Sequence, residues 1–136
     1  MFQFAGLTAL ALVVSTTGLI AEQRPKKRDK GDPTITKLLK LHNAERARQG
    51  YKPLKLDRKM CIDAKRHAEW MADTGWYQHS ELPYNEIIHS GPTTAEEAVE
   101  GWIYSPSHHW LMLSGTRAGF GYVLDKRGAY WVGVFR

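Results

Sequence analysis

Two histidines and a glutamate have the right side-chain types for a reactive or metal-binding centre: His79, Glu86 and His108. Two imidazoles and one carboxylate are the ligand types of a zinc-like site that keeps a coordination position open. The same groups suit general acid–base chemistry. Of the three, His79 and His108 are the candidate metal ligands, for Zn or another divalent ion. His89, three residues beyond Glu86, is the next candidate member. These residues lie on separate stretches of chain, so a shared site requires the fold to bring them together. The other histidines read differently. His42 and His67 fall on apolar helical faces and are expected in the core, each with a ring nitrogen paired. His109 adjoins His108, but successive helical residues point about 100° apart, so the two are not expected to chelate one ion.

Several other chemistries find no motif. There is no Gly-x-Ser-x-Gly elbow, His-Glu-x-x-His pair, Gly-x-Gly-x-x-Gly turn or phosphate loop. Five tryptophans are many for this length. Most are expected in the core, with one or two left to line an apolar groove.

The elements that must position these residues follow from pattern. Thr34 is the expected cap of a first helix in which Ile35, Leu38, Leu39, His42 and Arg46 share a face, and Gly50 is placed to end it. Asp57 caps a second helix, with Met60, Cys61, Ala64, His67, Ala68 and Met71 on one apolar face up to Thr74-Gly75. Residues 76–91 show no clear period and read as a functional loop. Thr94 and Glu97 have capping-box spacing at the start of a third helix, whose apolar stripe is Ala95, Ala98, Val99 and Trp102. Ser105-Pro106 starts a short fourth helix, running to about Leu113, with Ser105 as cap and Pro106 as first residue. Residues 118–124 and 129–135 are aromatic and β-branched and flank Asp125-Lys126-Arg127-Gly128, a strand–turn–strand hairpin. Gly119 and Gly121 mark a close backbone approach. Helices first and a hairpin last indicate an α+β layered domain.

Ahead of this domain, the apolar run within Phe2 to Ile20 suits a signal peptide and is short for a membrane span, which needs roughly 20 apolar residues. The expected organisation is a signal peptide at 1–21, a basic linker at 22–33 and one domain at 34–136. Cleavage after Gly18 and an uncleaved N-terminal membrane anchor are the alternatives. Residues 22–31 supply a net charge of +3 out of the chain's +5. The basic excess therefore sits in the tail, where weak contact with anionic surfaces is expected, and the domain lacks the charge of a nucleic-acid reader. Cys61 is the only cysteine, which rules out an intrachain disulfide. In its helical setting it reads as a buried thiol, with an intermolecular link as the alternative.

An ordered series of segments resembles the CAP superfamily, or SCP domain, of cysteine-rich secretory proteins, antigen 5 and pathogenesis-related proteins. Leu41-His42-Asn43-Ala44-Glu45-Arg46, Gly50 and Pro53-Leu54 are similar to the family's opening helix and turn. Residues 64–72 resemble its second helix, and His79-Ser80 its site histidine. Asn85-Glu86-Ile87-Ile88 occupies the place of its Gly-Glu-Asn segment, with Gly91 following. Trp102-Ile103-Tyr104-Ser105-Pro106-Ser107-His108 is close to the bacterial form of its next segment. Gly119-Phe120-Gly121-Tyr122 and Tyr130-Trp131-Val132 match its last strands. The likeness runs from about Leu38 to Phe135. The absence of disulfides matches the bacterial type.

The resemblance implies an αβα sandwich with helices on a small antiparallel sheet, and a cleft containing His79, Glu86 and His108, with His89 or Ser105 at its rim. Ser105 falls where many relatives carry a second glutamate. Ile87 replaces the family's asparagine, and the short stretch between His79 and Glu86 implies a shallow cleft. The leading expectation is a secreted, monomeric, non-catalytic binding module for a divalent metal or a small or lipidic ligand. A metal-assisted, peptidase-like hydrolase using the same residues, and a purely structural domain, are the alternatives.

Overall fold

A computed structural model describes residues 31–136. The signal peptide assigned to 1–21 and nearly all of the basic linker lie outside the described residues. In chain order the elements are α1 (Pro33–Arg48), β1 (Lys55–Leu56), α2 (Arg58–Thr74), β2 (Asn85–Ser90), α3 (Ala95–Ile103), α4 (Pro106–Met112), β3 (Arg117–Asp125) and β4 (Gly128–Phe135). The strands form one sheet in the order β1-β3-β4-β2. The sheet is mixed: β1 runs parallel to β3, and the other neighbours are antiparallel.

Strand alternation divides the core into two layers. Ile87, Phe120, Trp131 and Phe135 join the cluster that contains Leu38, Val99 and Trp102 of the α1 and α3 helices. Ile88, Val123, Val132 and Val134 pack with Met60, Ala64, Ala68 and Met71 of α2. Helices thus cover both faces, and the chain is an αβα sandwich. Gly119 and Gly121 sit where α2 lies directly on β3. A Cβ at either would come within 2.2 Å of α2 backbone, at Met60 and Lys65 respectively.

Three local details differ from expectation. Asp32, not Thr34, caps α1: its Oδ1 accepts the Thr34 N–H at 2.8 Å, which makes Pro33 the first helical residue. Asp32 Oδ2 also accepts from the Tyr122 hydroxyl at 3.0 Å, tying the helix start to β3. The capping box is displaced by one residue. Thr94 accepts the Glu97 N–H at 3.2 Å, while the Glu97 carboxylate reaches back to the Thr93 N–H at 2.9 Å. Ser105 makes no side-chain cap; its hydroxyl lies 3.4 Å from that of Ser107, and Pro106 alone starts α4. A larger difference is β2, which lies inside the stretch expected to be loop. Glu86, Ile87 and Ile88 are all buried, so the strand shows no alternation to find.

Two histidines enter the core as expected. His67 is paired through Nε2 to the Gln78 carbonyl at 2.8 Å. His42 is fully buried, and its Nδ1 donates to the Leu38 carbonyl at 2.8 Å. Its Nε2 has no partner and lies among the rings of Trp102, Phe120 and Phe135. Burial, with the nearby Arg46 charge adding to it, lowers the His42 pKa from 6.5 to about 4 against the pull of the Leu38 carbonyl. The folded state therefore resists a proton that the unfolded chain accepts below about pH 6.5. Stability should fall as pH drops through this window, by about 3 kcal/mol at pH 4 from this residue alone. Urea denaturation at pH 7 and pH 4 should show a larger acid loss in the wild type than in His42→Phe. Equal losses would contradict this.

Candidate functional site

The site straddles β2, an edge of the sheet. Glu86 is on this strand, and its side chain turns, like that of Ile88, toward the α2 layer. It is buried and accepts three donors. His79 Nδ1 lies 2.8 Å from Oε1, the Ser80 N–H donates to Oε1 at 2.9 Å, and the Ser80 hydroxyl donates to Oε2. The contact to an accepting carboxylate places the His79 proton on Nδ1. Nε2 is thereby the nitrogen left for a ligand, and the ring is mostly exposed. A carboxylate that orients an imidazole in this way is the usual support behind a metal-binding or proton-transferring histidine.

His89 lies three residues along β2 and turns to the opposite face, against α3. Its Nδ1 is 3.2 Å from the Ser90 carbonyl. Gly101 gives the ring its seat: a Cβ there would stand 2.3 Å from His89 Nε2. His108, on α4, is partly buried. Burial lowers its pKa, and the charges of His79 and His89 lower it further. His79, on one face of β2, and His89, on the other, therefore both lie within electrostatic reach of His108. Ser105 lies at the start of α4, with its hydroxyl 3.4 Å from that of Ser107. Among the described residues, no group of three or more His, Cys, Asp or Glu side chains is disposed to hold a metal ion.

Sequence reasoning missed the residues that hold α4. His109 turns away from His108, as expected, but its Nε2 meets Glu45 Oε1 of α1 at 2.7 Å. Glu45 is buried and is also bonded by Arg48 and Gln49. Burial acts to raise its pKa, and these bonds outweigh that and hold it below the usual value. Arg46 is the second holder. Its guanidinium donates to the carbonyls of Lys52, Met112, Ser114 and Gly115 at 2.7–3.1 Å. The only advance signal was Arg46 on the shared face of α1, and nothing there names a partner over 60 residues away. Above β2, Tyr77 Oη and Trp102 Nε1 both donate to the Ile88 carbonyl at 3.1 Å. Cys61 is half-buried; its sulfur accepts the Phe120 N–H at 3.4 Å, and burial pushes the thiol pKa up, unlike a nucleophile's.

This mixed sheet between α2 and the α1–α3–α4 layer, with a histidine–glutamate pair at its edge, defines an α+β sandwich of the SCP type. The sequence model of the cysteine-rich secretory protein family, CAP, matches residues 39–135, and the chain belongs to that family, as a bacterial-type member. The protein YkwD of Bacillus subtilis is 30% identical over 118 residues, which is 73% of this chain and 45% of the relative. The chain thus spans under half the length of that relative. An outer surface protein of Borrelia burgdorferi superposes with a TM-score of 0.67 at 18% identity, covering 74% of this chain and 89% of that one. An extracellular SCP-domain protein of Bacillus anthracis gives 0.62 at 19%, covering 76% and 40%. No helix among the described residues is long and apolar enough to cross a membrane.

Proposed function

We propose that the chain is exported, loses residues 1–21, and acts as a monomeric extracellular binding module whose cleft at His79, Glu86 and His108 takes a divalent metal or a small ligand. One observation carries this reading: Glu86 fixes the His79 ring through Nδ1, leaving Nε2 as an oriented lone pair, with the neutral His108 nearby. Both donors have the right chemistry for Zn or a similar ion. The fit is to two imidazoles with open positions, since no third protein ligand stands ready among the described residues. His79 and His108 would hold the ion, and it would supply a Lewis-acidic centre for an anionic or carbonyl ligand group. Glu86 keeps the imidazole aligned. The Ser80 hydroxyl is committed to Glu86 rather than to His79, which disfavours a serine nucleophile here. The basic segment 22–31 would add weak contact with anionic surfaces.

The test uses protein recovered from the culture medium, its mass giving the cleavage site, titrated with Zn by calorimetry. Binding should be lost, or weakened at least about ten-fold, in His79→Ala and in His108→Ala. His109→Ala, whose ring serves Glu45, should bind within about two-fold of wild type. A wild-type protein that takes up no metal, or one retained full-length in the membrane, would contradict the corresponding half of the reading.

A further inference from the structure

Trp70 borders three depressions on the exposed side of α2. One, of about 360 Å³, is lined by His67, Gln78, His79, Ser80 and Glu81 as well as Trp70 itself. The next, about 400 Å³, continues past Arg66 and Leu82. The third, about 480 Å³, lies on the other side of the indole, beside Ile62, Lys65, Glu69 and Asp73. Trp70 is 38% exposed. Its ring is held nonetheless. His67, one helical turn earlier, stacks parallel to it, with centroids 5.6 Å apart and planes inclined by 12°. His67 is itself fixed by its 2.8 Å bond to the Gln78 carbonyl.

We infer that this groove is a saccharide subsite in which Trp70 stacks on the face of a sugar ring beside His79. The inference rests on the reading of His79 as lining a binding cleft, and it names the ligand class. A pyranose has one face of C–H groups and a rim of hydroxyls. The groove offers the complement: a flat, immobilised aromatic face bordered by Gln78, Glu81 and Arg66. Charge favours an uncharged ligand over an anionic polymer. Lys65 and Arg66 stand among Glu69, Asp73 and Glu81, and Glu69 and Asp73 are engaged by Arg127. The depressions are shallow and open to solvent, unsuited to enclosing an acyl chain. Their succession on both sides of Trp70 fits an oligosaccharide better than a single ring.

The test is calorimetric titration of the domain with two neutral probes, chitotetraose and cellotetraose. At least one should bind with Kd at or below about 1 mM. Trp70→Ala should weaken it at least ten-fold, while Trp70→Phe, which restores a stacking face, should stay within about three-fold. Trp70→Ala should titrate with Zn like the wild type, which separates the groove from the metal ligands. Metal uptake without oligosaccharide binding would overturn this inference alone. Oligosaccharide binding without metal uptake would support it and remove the metal from the broader reading. Equal affinity in wild type and Trp70→Ala, or binding of heparin in preference to both neutral probes, would overturn it.

Discussion

Trp102→Ala is expected to destabilise the domain by about 3–5 kcal/mol, read as a fall in the urea midpoint at unchanged slope. The indole is fully buried in the layer beneath α1 and α3 and packs against the His42 ring at 5.6 Å. Removing it leaves a cavity that a sheet anchored by the Phe120 and Phe135 rings cannot readily collapse to fill. It also removes one of the two donors to the Ile88 carbonyl. Trp102→Phe keeps most of the volume and loses that bond, so it should cost about 1–2 kcal/mol. A midpoint unmoved by the alanine variant would show that the α3 stripe does not face the core.

Arg46→Met should cost about 3–4 kcal/mol, and Arg46→Lys should recover little of it. The guanidinium is buried and has no carboxylate partner among the described residues. Its counter-charge is the set of carbonyls at and just beyond the end of α4, together with Lys52, where the helix dipole is negative. Methionine fills the stem but leaves these acceptors without a donor, and each is costly to leave unsatisfied away from water. An ammonium cannot reproduce a planar fork that serves four oxygens. Because α4 carries His108, the same variant should also weaken Zn uptake. Equal stability of Arg46→Met and wild type, by urea or thermal melting, would contradict the clamp.

The parts of this fold that were legible are those in which one element reports on itself. The apolar face of α2 from Met60 to Met71 and the aromatic hairpin before and after Asp125–Gly128 follow from spacing and residue type. The close approach at Gly119 and Gly121 followed from two glycines in a strand. By contrast β2 hid because burial of Glu86, Ile87 and Ile88 together erases the period that would reveal a strand. β1 is two residues long and pairs in parallel across a long stretch of chain. The site divided in the same way. His79, Glu86 and His108 were identifiable by type and by family resemblance. The roles of Glu45, Arg46 and Gly101 were not, since each is defined by a partner on a different element. For Gly101 the information is negative: only the position of His89 reveals why a side chain is absent.

The outward carbonyl of Ile88 has a consequence for self-association. The register of β2 on β4 directs the backbone groups of residues 86, 88 and 90 away from the sheet, so those of Ile88 would serve an incoming strand from another molecule. Tyr77 and Trp102 already occupy the middle acceptor of this row. At the opposite border β1 offers only two residues. Both margins are thus poor templates for strand addition, which protects a sheet exposed to crowded surroundings from fibre-like stacking. The aromatic side chains thereby close this margin to a strand from another molecule.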